Sequence, residues 1–289
     1  MFALAAAALI GVLHVHHAPS HDSEAPFSDV VQAAYAAGLD FLVLTEHVLE
    51  DADGALPGAW RAGVYRGPGG RELLVMTGGE FGTLDGHLLG YQLPRALPTR
   101  GLDGAQAVAA IHELGGFAVV PHPFHYGGWH AWDAPFDGLE VHNHAVALRD
   151  SVGPLLPLRL LRLGFSRDAA MRARLDRPAP ELARWDDLRR SGRRVVAFSG
   201  ADVHQNVSLA GWQIDPYGEV FRAVRTLCPD GPLAEARIWR LLREGRCTIR
   251  YSIFDARETE AEAVELDTGR VELQLDGGRR VLEIRQFAD

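Results

Sequence analysis

The segment Leu13-His14-Val15-His16-His17-Ala18-Pro19-Ser20-His21-Asp22 places imidazoles at positions 14 and 16. In an extended strand, side chains two residues apart share a face, so these two converge on one point. Such a pair suits a divalent transition-metal ion, which takes neutral imidazole nitrogen at about 2.0–2.1 Å. The bare tripeptide would equally fit two polar side chains on the wet face of an edge strand. The run before it, Leu9 to Leu13, is apolar at every residue but Gly11, as in a strand covered on both faces. Paired histidines at the end of a buried strand are harder to explain as side chains facing water.

The same ending recurs along the chain. Phe41–Leu44 runs into Thr45-Glu46-His47, Leu73–Met76 is followed by Gly79-Glu80, and Phe117–Val120 delivers Pro121-His122-Pro123. Arg194–Phe198 leads to Ser199-Gly200-Ala201-Asp202-Val203-His204. In α/β barrels the C-terminal strand ends and the loops after them build the active site, so residues far apart in sequence meet there. Five imidazoles and two carboxylates (His14, His16, His47, Glu80, His122, Asp202, His204) exceed the needs of one four-coordinate ion. They point to two or three ions sharing a bridging carboxylate, and Glu80 is the best bridge.

The elements that must position these groups follow from periodicity. Phe27 to Ala37 has apolar residues at near-helical spacing and stops at Gly38, so strand, helix and strand 41–44 form a βαβ unit. Residues 51–71 are a Gly/Pro-rich loop, 87–91 a short strand, and 103–114 an amphipathic helix closed by Gly115-Gly116. Gly138–His144 reads as a strand with Glu140, His142 and His144 on one face, residues 145–188 as mixed helix and loop, and 233–242 as a helix. Ala263–Leu266, Val271–Leu275 and Val281–Ile284 are short strands split by Gly turns. They predict a small antiparallel appendage over 256–289 beside a barrel over 1–255.

Composition narrows the chemistry. The 289 residues carry 47% hydrophobic content and a net charge of -9, with no basic block, so a small-molecule substrate is expected and a nucleic-acid duplex is not. All 29 basic residues are arginine. The absence of lysine removes Schiff-base chemistry, a P-loop lysine and a metal site bridged by a modified lysine. Cys228 and Cys247 lie far apart outside any Cys-x-x-Cys and read as buried thiols. The apolar start, residues 1–13, imitates a signal-peptide core but has no basic n-region and is too short to span a membrane. A cytoplasmic enzyme is expected, with an export signal as the alternative, and no membrane partner; the oligomeric state is not legible.

The motif set His14-x-His16 with Ser20, Ala36-Ala37-Gly38-Leu39-Asp40, Thr45-Glu46-His47, Gly79-Glu80, Gly86-His87-Leu88-Leu89-Gly90, His122-Pro123, Glu140-x-x-Asn143 and Ser199-x-x-Asp202-x-His204 resembles the PHP (polymerase and histidinol phosphatase) superfamily over roughly residues 12 to 250. Gly-His-Leu-Leu-Gly and Leu242-Arg-Glu-Gly-Arg are most similar to the branch that includes carbaryl hydrolase. The resemblance implies a distorted (β/α)7 barrel with a di- or trinuclear Zn, Mn or Fe centre and hydrolase activity. It implies His14, His16, Glu80 and Asp202 at one ion, Glu80 and His122 at a second, and His47 and His204 at a third. His87 is a candidate to complete the second ion, and His21 or Asp22 the third. Two departures stand out: Thr-Glu-His replaces the common Thr-Asp-His, and His21-Asp22 replaces Asp-Gly after Ser20.

The expected reaction is hydrolysis, foremost of a small phosphorylated metabolite, with Glu80 holding the ions and His204 or His21 protonating the leaving group. A carboxylic or carbamic ester or amide is the alternative substrate, and a non-catalytic metal-binding scaffold the alternative role. Arg149, Arg167 and Arg222 are candidates to meet phosphate, while Trp129, Trp132 and Trp212 either line an apolar pocket or belong to the core. His142 and His144 are open between ligands, proton shuttles and a polar rim. His17, His112, His125 and His130 read as structural or surface residues.

Overall fold

The computed structural model describes residues 8–146, 179–206, 208–209, 212–213, 215–253, 264–266, 269–276 and 279–286. In chain order the strands begin with β1 (Ala8–Val15), β2 (Phe41–Leu44), β3 (His47–Val48), β4 (Gly63–Arg66), β5 (Glu72–Thr83) and β6 (Gly86–Tyr91). They continue with β7 (Phe117–Val120), β8 (Gly138–Asn143), β9 (Val196–Val203), β10 (Ser208–Leu209), β11 (Trp212–Gln213) and β12 (Val224–Pro229). The last are β13 (Thr248–Ile253), β14 (Val264–Leu266), β15 (Gly269–Asp276) and β16 (Arg279–Gln286). Helices α1 (Phe27–Ala37), α2 (Gly104–Glu113), α3 (Ala179–Arg190), α4 (Tyr217–Ala223) and α5 (Glu235–Arg243) lie between them.

Seven strands close into a barrel in the order β1-β2-β5-β6-β7-β8-β9, with β9 returning to pair β1 at Leu13↔Gly200 and Val15↔Val203. All neighbours are parallel except β6, which runs antiparallel to both β5 and β7. The distorted barrel expected from the motifs is therefore present. Its wall strands are apolar because both faces are covered: Phe41 to Leu44 and Phe117 to Val120 have no exposed surface. Helix α1 ends where the sequence says it should, at a left-handed Gly38 whose N–H bonds Ala34 and Tyr35 carbonyls.

Two expectations for the strands before the barrel's hairpin change. The strand expected to stop at Met76 continues to Thr83, because Gly78, Gly79 and Gly82 do not break it but pair across a hairpin with β6 (Gly79↔Gly90, Gly82↔His87). Glu80 thus sits inside a strand, not just past one. The Gly/Pro-rich stretch 51–71 also holds β4, which pairs antiparallel with the start of β5.

The lower half of β1 (Ala8 to Gly11) pairs with β12 instead of β9, and from β12 the sheet continues antiparallel through β13, β16, β15 and β14. The C-terminal strands are antiparallel, as expected, and share one sheet with the barrel. Gln286 fastens them to it by bonding the Ala197 N–H at 2.7 Å and the Ala197 carbonyl at 2.9 Å.

The cysteines are not free thiols. Cys228 and Cys247 bracket α5, and since Leu227 pairs with Thr248, the next antiparallel pair brings their Cα atoms to 4.3 Å in a disulfide. Sequence distance hid a cross-strand neighbour. At a sequence separation of 19, the bond is expected to contribute about 3 kcal/mol. Urea unfolding of the Cys228→Ser/Cys247→Ser protein checks this by its lowered midpoint, and the native chain denatured without reductant should show no reactive thiol.

Candidate metal centre

The local backbone is bent to deliver the ligands. Both β1 pairings shift register at His14, which adopts φ 59°, and His122 (φ 28°) and Asp202 (φ 49°) are also left-handed. Such conformations cost about 1–3 kcal/mol each for side chains with a Cβ and collect at functional sites. Here three of the residues singled out by the sequence carry them.

Glu80 lies at the middle, with 1% of its surface exposed. Its Oε2 faces His14 Nε2 and His16 Nε2, both at 3.2 Å, and His47 Nδ1 at 3.5 Å. Its Oε1 faces the other way, toward His87 Nδ1 at 2.8 Å and His122 Nε2 at 3.0 Å. Asp202 Oδ1 completes the first group, 3.4 Å from His14 Nε2 and 3.5 Å from His16 Nε2. A third group stacks on the first: His16 lies 4.1 Å from the His204 ring and 4.7 Å from the His47 ring. Asp22 Oδ2 joins His47 Nε2 (3.3 Å) to His204 Nε2 (3.0 Å).

Three sets therefore have ligand atoms within 4.8 Å of one another: His14, His16, Glu80 and Asp202; Glu80, His87 and His122; and His16, His47 and His204. Every imidazole and carboxylate singled out as a strand-end ligand is brought together. His87 joins them although it begins a strand, because β6 is antiparallel and its start lies at the same barrel end as the finish of its parallel neighbours. Asp22 meets the third set, whereas His21 stands exposed outside it, 4.9 Å from the His47 ring.

The remaining candidates separate. His142 and His144 are buried, so they form no rim, and neither belongs to a ligand set among the described residues. Burial and the neighbouring His144 push His142 down to about 3, which keeps it neutral. Trp129 is buried and Trp132 packs on the same core cluster. Arg222 is exposed on the last turn of α4. Arg149, Arg167 and the Trp212 side chain lie outside the described residues. His17 is buried against Glu46, His112 pairs Asp137 at 2.7 Å, and His130 is exposed.

Sequence reasoning missed the groups behind the ligands. Glu140 is buried, accepts from His14 Nδ1 at 2.8 Å and the His122 N–H at 3.2 Å, and takes Asn143 Nδ2 at 2.9 Å. Asn143 also reaches Asp202 at 3.1 Å. Ser20 Oγ lies 3.0 Å from His16 Nδ1 and accepts the His47 N–H at 3.0 Å. The Glu140-x-x-Asn143 spacing was the available signal; nothing in it told ligand from supporting acid.

The donor set fits divalent cations. Glu80, Asp202 and Glu140 are buried together, and among the described residues their partners are imidazoles, an amide and backbone, with no arginine. Nε2 of His16 and of His204 are buried near carboxylate oxygens yet are not aligned for a hydrogen bond. Atoms that crowd one point without bonding one another are arranged for something between them. Without a cation, protons must compensate the charge. Burial alone lowers His16, but contact with Asp202 and Glu80 raises it to about 9. His14 is lowered by burial and held well above its usual range by Glu140, Asp202 and Glu80, and Glu80 likewise raises His87. Burial raises Glu80 and Asp202, and His14 foremost brings both below the usual carboxylate range.

Metal ligation needs neutral imidazole, so loading displaces these protons. Zinc added at pH 7 to chelator-stripped protein should release at least the protons on His14 and His16, read with an indicator dye in weak buffer. A solution that holds its starting pH would contradict the assignment. For the stripped protein the sign is that of a raised histidine: the stabilisation is whole below 6.5 and disappears as pH rises through about 9.

No family model matches the chain. Over 73 residues it is 34% identical to an uncharacterised protein of Methanocaldococcus jannaschii, an alignment that spans 24% of this chain and 42% of that protein. Among solved structures it resembles a two-domain protein from Bacteroides vulgatus containing a predicted PHP-like metal-dependent phosphoesterase. The TM-score is 0.54 at 16% identity, over 97% of this chain and 87% of that one. At that identity the likeness is one of fold: the closed seven-strand barrel with its added strands. Among the described residues no helix is long and apolar enough to cross a membrane.

Proposed function

We propose that this protein is a metal-dependent hydrolase of a small-molecule ester, foremost a phosphoester, working at the Glu80 centre. The observation that carries the reading is the division of Glu80: one oxygen turned to His14 and His16, the other to His87 and His122. A carboxylate so placed would serve two cations, and His47, His204 and Asp22 would hold a third. Bound divalent ions would supply Lewis acidity and a water acidified from 15.7 to about 7. The fold resemblance to a PHP-like protein supports the phosphoester reading by analogy.

The chain's own residues supply the rest. Glu140 and Ser20 orient the ligand rings, and the buried strand ends exclude bulk water from beneath the centre. His204 is stacked inside the third set and serves as a ligand. His21, exposed beside His47, is the better group to give a proton to the departing oxygen.

Carboxylic or carbamic ester hydrolysis, which the Gly86–Gly90 motif suggests, is the second reading. A panel of p-nitrophenyl phosphate and p-nitrophenyl acetate with Zn, Mn or Fe restored separates them. Metal-dependent release from the phosphate is expected, and release from the acetate alone would reverse the order. Residence in the cytoplasm goes with a reduced Cys228 and Cys247, and an oxidising compartment with the bonded pair; the thiol count distinguishes them.

A further inference from the structure

We infer that Glu46 and His17 are positioning residues for the third ligand set, acting as a buried clasp between the loops that carry His16 and His47. The inference rests on the metal-centre reading above and adds to it two residues outside every ligand set. Glu46 has no exposed surface and His17 has 1%. Glu46 Oε2 accepts the His17 backbone N–H at 3.0 Å, and its Oε1 takes the same residue's ring at Nδ1. One carboxylate thus fixes both the backbone and the ring of the residue after His16. The Glu46 carbonyl accepts the Glu80 N–H at 3.0 Å, and the neighbouring Thr45 N–H reaches the Val15 carbonyl at 2.9 Å. The ends of β1, β2 and β3 are therefore tied to the middle of β5 through Thr45 and Glu46.

The surroundings are built around this pair. Gly58 covers it with φ +75°, and a Cβ there would lie 3.3 Å from both Glu46 Cγ and His17 Cε1. The Phe27 ring closes another side, 5.4 Å from the His17 ring, and Arg61 in turn stacks over Phe27 at 4.7 Å. His17 Nε2 is buried without a hydrogen bond, so the ring is held through Nδ1 and packing. A charged acid enclosed this fully is costly unless its bonds do something the fold requires. What they do here is set the spacing between His16 and His47, whose rings sit 4.7 Å apart. The other members of the first two sets hang on different supports: His14 and His122 on Glu140, and His87 on β6.

The clasp should therefore matter for one ion far more than for the others. Zinc retained per chain is measured by elemental analysis of the full-length protein across a series of chelator concentrations, for wild type, Glu46→Ala, His17→Ala and Glu46→Gln. Glu46→Gln keeps the volume and one acceptor, and so remains informative if the alanine variants do not fold. The expected result is that the zinc of the third set dissociates at a chelator strength about tenfold lower in each folded variant, the range known for outer-shell partners of metal ligands, with the zinc of the first set, which shares His16, weakened less and that of Glu80, His87 and His122 unmoved. Cobalt in place of zinc should show the change as loss of one component of the visible spectrum. The inference is overturned if Glu46→Gln holds all its zinc as wild type does, or if every zinc weakens equally. A wild-type chain that holds no zinc would instead sink the metal-centre reading itself.

Discussion

Glu80→Gln protein purified without chelator is expected to lose the metal of the first two sets together, and turnover with it by on the order of 10³-fold or more. The reason is the shared oxygen pair: Oε2 serves His14 and His16, Oε1 serves His87 and His122, and an amide offers only one oxygen at that position. Its amide nitrogen would also point N–H donors at imidazole nitrogens needed as ligands. Excess metal should not restore the rate, because the bridge is missing and not merely weakened. Elemental analysis beside a p-nitrophenyl phosphate assay reads both effects. Full metal content with normal turnover would remove Glu80 from its bridging role.

Glu140→Gln should weaken binding of the first two metals by about 10–100-fold while leaving most of the turnover recoverable at saturating metal. Glu140 touches no proposed ion position; it fixes His14 through Nδ1 and steadies the backbone of His122. Losing its charge frees the His14 ring to turn without deleting a ligand. Gly200→Ala provides an independent arm. A Cβ at Gly200 would fall 2.1 Å from Glu140 Oε1, so the carboxylate must leave His14 even though its own residue is intact. The two variants should shift the metal titration in the same direction. Normal affinity in Gly200→Ala would mean that Glu140 has room to move and that its grip on His14 is not needed.

Much of this site could be read before the fold was known, because ligation constrains residue type and strand ends constrain position. His14, His16, His47, His122 and Asp202 each follow apolar runs that a barrel must bury, and the runs fix which end of the strand is the mouth. His87 was ambiguous since direction is not written in a six-residue strand; only the hairpin register Gly82↔His87 shows that β6 runs backwards. Glu80 looked like a strand end because glycines normally interrupt strands, yet Gly78 lies where the hairpin partner comes close, against Gly90 and Tyr91, and Gly79 where Val48 and Leu56 do. Glu140, Glu46 and Ser20 stand in the motifs, but their supporting roles are not written there, for a supporting acid and a ligand acid are the same residue in sequence. The Cys228–Cys247 bond escaped for a similar reason: α5 intervenes, and only pairing of β12 with β13 makes them neighbours.

The central claim is that imidazoles and carboxylates drawn from six barrel strands and the loops after them hold ions in common. Anomalous diffraction from crystals soaked in zinc, recorded on both sides of its absorption edge, tests it most directly. The account predicts adjacent peaks on either side of the Glu80 carboxylate and a further peak among His16, His47 and His204. A map with no peak touching Glu80, or zinc only on surface histidines such as His130, would contradict it.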